Sequence, residues 1–406
     1  MTFTTINGGV TAPKGFKASG VHCGIRRNRG KLDLALLVSD VPCATASVYT
    51  QNKVKGAPIF VTQKNIADGY AQAMLCNSGN ANTCNPNGVE IAEQCCQLAA
   101  DTLGLKPTDF VIASTGVIGQ PLMIEPFEYG IPKAFEELSD EGGDQAAEAI
   151  MTTDTVKKSY AIQFELGGKA CHIGAMTKGS GMINPNMATM LTFITTDVAI
   201  TPAMLDKALK ATVKTTLNQI NVDGDTSTND MATVMANGLA GNPEIDEENA
   251  DFVLFCDALK QVCIWACRQI AKDGEGATKL LQCTVSNANT EENALKVAKS
   301  IISSDLFKSA MFGEDANWGR ALCAIGYTEG DFSIEGVSVI LKSAKGEVKV
   351  CENAAYHPFS EEKAAEILSE TEIEILVDMH DGTAFAQAWG CDLTYEYVRI
   401  NGDYRS

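Results

Sequence analysis

The sequence predicts an α+β fold, because segments with helical periodicity and segments of alternating polarity follow one another along the chain. No internal repeat and no low-complexity linker interrupts them. A chain of 406 residues can bury a large core, either as one unit or as two or three smaller ones. Mixed layers of helix and sheet are therefore expected.

Three segments carry helix signals. One helix is predicted after Asn87, with Glu90 three residues later as in a capping box and Gly104 as a C-terminal stop. A second is predicted to begin at Thr201, since Pro202 suits a first turn, where a missing N–H does no harm. A third is predicted from apolar residues that recur three or four apart: Phe252, Phe255, Leu259, Val262, Ala266 and Ile270.

Alternating polarity predicts the strands. Residues 161–166 and 169–176 alternate on either side of Gly167-Gly168, which is typical of a hairpin. The same pattern predicts further strands at 336–343, 371–379 and 393–400. Residues 189–197 are predicted to form a buried strand that is entered through the irregular loop 178–188.

Composition excludes several classes of function. The chain has 32 Lys and Arg against 51 Asp and Glu, a net charge of −19, which opposes nucleic-acid binding. No apolar run approaches the roughly 18 residues of a membrane span. The N-terminal residues lack the pattern of a signal peptide, so a cytoplasmic location is expected.

The fourteen cysteines are predicted to be reduced thiols, because they are spread over the chain and form no CxxC pair. The four histidines lie far apart in sequence. No structural metal is expected from this spacing.

Thr189 stands at the start of a predicted strand, directly after a constrained loop. Its hydroxyl is suited to attack the carbonyl of Ala188, shift the acyl group from nitrogen to oxygen, and let water release a chain that begins with Thr189. The new α-amine, with an ordinary pKa of about 7.7–8.0, suits a general base for that hydroxyl. From these residues alone, an ordinary strand threonine remains the alternative.

Four glycine-rich segments are too polar to be core: 76–88, 113–119, 176–191 and 273–279. Together with the C-terminal segment they resemble the ornithine acetyltransferase family, and the similarity covers essentially the whole chain. The segment KGSGMINPNMATML is the most specific of them.

The resemblance implies a layered α/β/β/α sandwich of mixed sheets with self-processing, N-terminal-nucleophile-like chemistry. Cleavage would give an α chain (1–188) and a β chain (189–406), two of each in a heterotetramer. N-acetylornithine would acetylate Thr189, ornithine would leave, and glutamate would take the acetyl group, as a step of arginine biosynthesis. No cofactor is implied. Some members also use acetyl-CoA as donor, and one sequence does not separate the two kinds.

The resemblance also assigns site residues. Thr115 and Gly116 match the family's oxyanion pair, with a hydroxyl and an N–H as donors. Lys178 matches a substrate-binding position, where a cation would hold a carboxylate. Thr152 matches another, although an alignment slip of one residue would select Thr153.

Three further substrate contacts lie in the C-terminal half: Glu275, Asn401 and Ser406, where the family often ends in threonine instead. Asn401 is expected to be carried inward by a strand. The segments 221–230 and 312–320 match the family without an assigned chemical role. A metal loop at Asp223, Asp225 and Asp230 is disfavoured, because the spacing and the terminal Glu of an EF-hand are missing.

Two other classes remain open. A self-processing aminopeptidase of similar fold would use a Ser nucleophile and transfer its acyl group to water, and Thr189 and Lys178 argue against it. A non-catalytic amino-acid-binding protein would keep its chain intact. An acetyltransferase of the single-domain type that depends on coenzyme A is disfavoured, because its pyrophosphate loop is not found.

Overall fold

The structure is a computed structural model that describes residues 3–184 and 190–403. The described residues form sixteen strands: β1 (Thr4–Ile6), β2 (Phe16–Val21), β3 (Leu34–Tyr49), β4 (Tyr70–Asn77), β5 (Phe110–Ser114), β6 (Lys158–Leu166), β7 (Lys169–Lys178), β8 (Leu191–Thr196), β9 (Ile220–Asn221), β10 (Met231–Ala236), β11 (Leu280–Ala288), β12 (Ser338–Ser343), β13 (Gly346–Glu352), β14 (Ala355–Tyr356), β15 (Glu372–Asp378) and β16 (Ala384–Cys391). They also form eleven α-helices: α1 (Ala57–Asn65), α2 (Gly88–Leu103), α3 (Glu125–Glu136), α4 (Gly143–Ala149), α5 (Pro202–Thr215), α6 (Ala250–Lys272), α7 (Glu291–Ser303), α8 (Asp305–Phe312), α9 (Trp318–Gly326), α10 (Glu361–Leu368) and α11 (Tyr395–Gly402).

The chain divides into two compact units. The first unit comprises Met1–Gly179, Asn186–Val213 and Thr226–Ala266. The second comprises Ser180–Pro185, Lys214–Asp225 and Cys267–Ser406. Each unit contains its own mixed sheet.

The sheet of the first unit has the order β1-β6-β7-β8-β10-β3-β4-β5, with β2 paired to β3. Its β8–β10 and β4–β5 pairs are parallel and the others antiparallel. Leu34 and Leu36 of β3 pack with α2 and α3, while Ala35 and Leu37 pack in a second cluster with α4. Because successive strand residues point to opposite faces, the sheet is buried on both sides.

The sheet of the second unit has the order β14-β13-β12-β15-β11-β16-β9. Its β11–β15 and β16–β9 pairs are parallel. Alternate residues of the central strands, such as Cys283, Val339 and Ile375, share one apolar cluster with residues of α7, α8, α9 and α10. The predicted α+β class with mixed sheets is confirmed.

Most elements predicted from the sequence are present. The hairpin joins β6 to β7 through Gly167 and Gly168, both with positive φ. Helix α5 begins at Pro202, and α6 buries the six apolar residues named above. Gly104 ends α2 in the left-handed conformation, with its N–H on the carbonyl of Ala100. The capping box was wrong, because the Asn87 side chain accepts no hydrogen bond there.

The strand predicted at 393–400 was also wrong, because this segment forms helix α11. The Thr394 side chain accepts the N–H of Glu396 at 3.2 Å and so begins the helix. Tyr395 is 84% and Val398 71% exposed, so the alternation of large residues that suggested a half-buried strand reflects no buried face. The cap outweighed the strand propensity of these residues.

Candidate functional site

Thr115 and Gly116 lie directly after β5, in a turn that only glycine can complete. The Thr115 N–H donates to the carbonyl of Asn77 at 3.0 Å. Gly116 has a φ of 132°, and a Cβ at this position would lie 2.3 Å from the carbonyl carbon of Gly79. The close approach of the two backbones therefore fixes the direction of the Gly116 N–H.

Both predicted oxyanion donors lack a hydrogen-bond acceptor among the described residues. Within the described part of the chain, the Gly116 N–H makes no hydrogen bond. The Thr115 hydroxyl oxygen accepts from the Lys178 ammonium at 3.1 Å, and no described residue accepts its proton. Donors on two neighbouring residues thus have no acceptor in the described part of the chain, and donors of this kind can stabilise an oxyanion.

Lys178 ends β7, where it is only 9% exposed. Its register partner is Leu191, near the start of β8. The antiparallel pairing of β7 with β8 therefore brings the predicted substrate lysine beside Leu191, two residues after Thr189 in sequence. Thr115, directly after β5, is the hydrogen-bond partner of Lys178.

Asp154 connects several residues near Lys178 through hydrogen bonds, and no role was predicted for it from the sequence. Its carboxylate accepts the N–H of Thr152 at 3.0 Å, the N–H of Gly179 at 2.7 Å and the Lys158 ammonium at 2.7 Å. Burial raises the pKa of this carboxyl, but Lys158, Lys178 and the Gly179 N–H together lower it to about 2. An ionised carboxylate thus joins the predicted substrate residues Thr152 and Lys178. Its position two residues after Thr152 was the one signal that the sequence offered.

Asp230 is a second carboxyl that the sequence reasoning left without a role. It immediately precedes β10, whose first residue, Met231, donates its N–H to the carbonyl of Met190 at 2.8 Å. The side chain is buried, and its Oδ2 has no hydrogen-bond partner among the described residues. Burial raises the pKa of Asp230 well above its ordinary value, against the opposing effect of Lys178. Burial thus favours the protonated form of this carboxyl, and the charge of Lys178 opposes that effect.

In the second unit, the structure brings Glu275 and Asn401 together. The Asn401 side-chain amide donates to Glu275 Oε2 at 2.8 Å. The Glu275 N–H donates to the carbonyl of Ser180 at 2.9 Å. A Cβ on Gly181 would lie 2.3 Å from the Glu275 carboxylate, so this glycine makes room for it. Two predicted substrate residues 126 positions apart are thus in direct contact.

Helix α11 positions Asn401 through contacts with the turn at 273–279. The Thr394 hydroxyl donates to the carbonyl of Gly276 at 2.6 Å. Gly276 has a φ of 70°, and a Cβ there would lie 2.6 Å from the backbone nitrogen of Tyr397. The predicted inward position of Asn401 was wrong, because the residue is exposed; its contact with Glu275 comes from a helix docked at this turn and not from a strand.

Asp223 gives the segment 221–230 a structural role. Its carboxylate accepts the N–H groups of Met182 and Ile183 at 2.6 and 2.9 Å. Burial, followed by the charge of Asp223, raises the pKa of Tyr397. Asp223 therefore holds the segment that leads toward the predicted cleavage point. No group of residues suited to a metal ion occurs within 3–184 or 190–403.

Ala188, Thr189 and Ser406 lie outside the described residues. Their predicted roles in cleavage, catalysis and substrate binding stay predictions. Thr152 and Thr153 are both partly exposed, so the choice between them also stays a prediction. Among the described helices, none combines the length and the apolar character needed to cross a membrane.

Comparison with known proteins identifies relatives along the whole chain. The model of the ArgJ family matches residues 17–406. The chain is 51% identical over 402 residues to the arginine biosynthesis bifunctional protein ArgJ of Caldanaerobacter subterraneus subsp. tengcongensis, a match that covers 99% of each protein. It is 50% identical over 401 residues to the protein of the same name from Symbiobacterium thermophilum, covering 98% of this chain and 99% of the relative.

A solved structure is also similar. The crystal structure of the arginine biosynthesis bifunctional protein ArgJ from Bacillus halodurans is 45% identical, with a TM-score of 0.50. The match covers 52% of this chain and 98% of the solved chain. The matches along nearly the whole sequence confirm the resemblance carried by the glycine-rich segments, and the chain belongs to the ArgJ family.

Proposed function

We propose that this protein is an acetyltransferase of arginine biosynthesis that moves the acetyl group of N-acetylornithine to glutamate through an acetyl-Thr189 intermediate. The observation that carries this proposal is the pair of donors at Thr115 and Gly116, neither of which has an acceptor among residues 3–184 and 190–403. An acyl-enzyme needs such donors, since its formation and its breakdown both pass through a tetrahedral oxyanion.

In the first half-reaction, the Thr189 hydroxyl attacks the acetyl carbonyl while its proton passes to the α-amine of the same residue. The Thr115 hydroxyl and the Gly116 N–H stabilise the oxyanion. The C–N bond then breaks, and the departing ornithine amine takes the proton. In the second half-reaction the glutamate amine attacks the acetyl ester, and the same donors stabilise the second oxyanion. The C–O bond to Thr189 then breaks, the Thr189 oxygen takes the proton that the glutamate amine loses, and N-acetylglutamate leaves.

Autocleavage between Ala188 and Thr189 is part of the proposal, giving the chains 1–188 and 189–406. The sheet of the first unit supports their continued association. Strand β8, from the proposed β chain, is hydrogen-bonded to β7 of the proposed α chain, and β10 is likewise paired with β3. A solved relative whose whole chain corresponds to about half of this one is in keeping with such fragments.

Amino-acid substrates are proposed to contact residues from both chains: Thr152, Lys178, Thr189, Glu275, Asn401 and Ser406. Lys178 supplies the cation for an α-carboxylate within a protein of net charge −19. The Glu275 carboxylate suits an amine, and its bond to Asn401 supports a shared role for the two residues.

The oligomeric state, the location and the absence of a cofactor are proposed from the family resemblance. Two α and two β chains form a heterotetramer in the cytoplasm, and no cofactor takes part. Acetyl-CoA is included as a second acetyl donor, because the curated relatives are named bifunctional proteins.

The test is acetyl transfer by the purified protein from N-acetylornithine to glutamate. Parallel lines in double-reciprocal plots are expected for the ping-pong reaction. Release of acetate without transfer to glutamate would instead favour an aminopeptidase-like hydrolase, and ligand binding by an intact, inactive chain would favour an amino-acid-binding protein.

A further inference from the structure

The Lys178 ammonium determines how the Thr115 hydroxyl is used. The two atoms are 3.1 Å apart, and both side chains are buried. An ammonium has protons to give and no lone pair to offer, so Thr115 Oγ1 must accept in this bond. The hydroxyl proton is then directed away from Lys178, and no described residue accepts it.

Lys178 is held in place from two sides. It is paired with Leu191 across the β7–β8 ladder. The next residue, Gly179, donates its N–H to Asp154 at 2.7 Å, and the Asp154 carboxylate is anchored in turn by Lys158. A buried side chain on such a backbone has little freedom to leave Thr115.

Two acidic side chains, Asp154 and Asp230, interact electrostatically with Lys178. The Lys158 ammonium lies 2.7 Å from Asp154 and offsets that carboxylate. Asp230 also interacts electrostatically with Lys178, and burial raises the pKa of its carboxyl well above the ordinary value, which disfavours its charged form. Because its ammonium is hydrogen-bonded to the Thr115 hydroxyl, the positive charge of Lys178 acts on Thr115 and on a negative charge that develops beside Thr115.

We propose that Lys178 is a positioning residue for the oxyanion donor: its ammonium fixes the Thr115 hydroxyl with the proton directed at the oxyanion. This role rests on the proposed function and is added to the contact of Lys178 with a substrate carboxylate. The two roles differ in one consequence. A carboxylate contact matters only for substrates that carry a carboxylate, whereas a fixed Thr115 donor accelerates acetyl transfer from any donor.

The test uses p-nitrophenyl acetate, an ester without carboxylate or amine, and measures the rate at which it acetylates the enzyme. The variants are Thr115→Val, Lys178→Met and the double variant. Lys157→Met is the matched control, because Lys157 is exposed and pairs with Asp144. Thr115→Val is expected to slow acetylation by roughly 100-fold, and Lys178→Met by about 10-fold to 100-fold. The double variant should be no more than about threefold slower than Thr115→Val, because both changes disable one donor.

A rate for Lys178→Met within about threefold of wild type would overturn the proposal. A double variant whose acetylation rate falls by the product of the two single-variant factors would also overturn it. Failure of the proposed function gives a different result, since the wild type would then transfer no acetyl from N-acetylornithine to glutamate.

A crystal structure of the wild type with ornithine bound provides a measurement that does not depend on the folding of any variant. The Lys178 Nζ is expected to stay within hydrogen-bond distance of Thr115 Oγ1 while the ligand is present. A Lys178 side chain that leaves Thr115 for the ligand carboxylate would overturn the proposal.

Discussion

Thr115→Val removes the proposed hydroxyl donor and leaves the shape of the side chain nearly unchanged. It is a cleaner test than Gly116→Ala, whose Cβ would lie 2.3 Å from Gly79 in a backbone with positive φ. Thr115 is only 7% exposed, so water cannot easily replace the lost donor. One donor to an oxyanion contributes about 3–4 kcal/mol, so kcat should fall by roughly 100-fold to 1000-fold.

The KM values for N-acetylornithine and glutamate should change by less than about threefold, because the donor acts mainly in the transition state. The variant also leaves the buried Lys178 ammonium without its acceptor, which should lower the free energy of unfolding by about 1–3 kcal/mol. Steady-state transfer kinetics and chemical denaturation measure the two effects. Thr115→Ser is the control, because it keeps the hydroxyl and should stay within about tenfold of wild type. A kcat for Thr115→Val within about fivefold of wild type would refute the reasoning.

Three other changes test other parts of the account. Thr189→Ala should remain one uncut, inactive chain on a denaturing gel, whereas Thr189→Ser keeps a hydroxyl and should still be cut; fragments from Thr189→Ala would remove this residue from the cleavage. Asn401→Ala should raise KM for both amino acids by roughly tenfold, since Glu275 loses its partner, while Val398→Ala on the same helix should not. Asp154→Asn should lose about 2 kcal/mol of stability at neutral pH, because the folded-state pKa is lowered to about 2 from 3.8. That difference should disappear as the pH falls from about 4 to about 2, and a pH-independent difference in urea denaturation would contradict the ionised state of Asp154.

Local sequence signals were enough for the residues whose roles depend on their immediate neighbours. The Gly167-Gly168 turn predicts its hairpin, and the apolar spacing of α6 predicts a buried helical face. The predicted oxyanion pair, Thr115 and Gly116, whose role stays a prediction, lies within one short motif directly after a strand. In each case the residues that determine the structure are adjacent or a few positions apart.

Residues that act through distant partners could not be predicted from the sequence. Asp154 holds Gly179, which lies 25 positions away, and Asp223 holds Met182, which lies 41 positions away. Neither contact follows from periodicity, because each depends on how the strands pair. The burial that raises the pKa of Asp230 likewise depends on the finished fold. The segment of helix α11 was predicted to be a strand because aromatic residues such as its tyrosines are common in strands.

The central claim is that Thr189, freed by cleavage at its own peptide bond, carries the acetyl group. Mass spectrometry of the purified protein before and after addition of N-acetylornithine tests this most directly. We expect two fragments, residues 1–188 and 189–406, with the second gaining the mass of one acetyl group on Thr189 and losing it when glutamate is added. A single intact chain, or an acetyl group retained on another residue, would contradict the account.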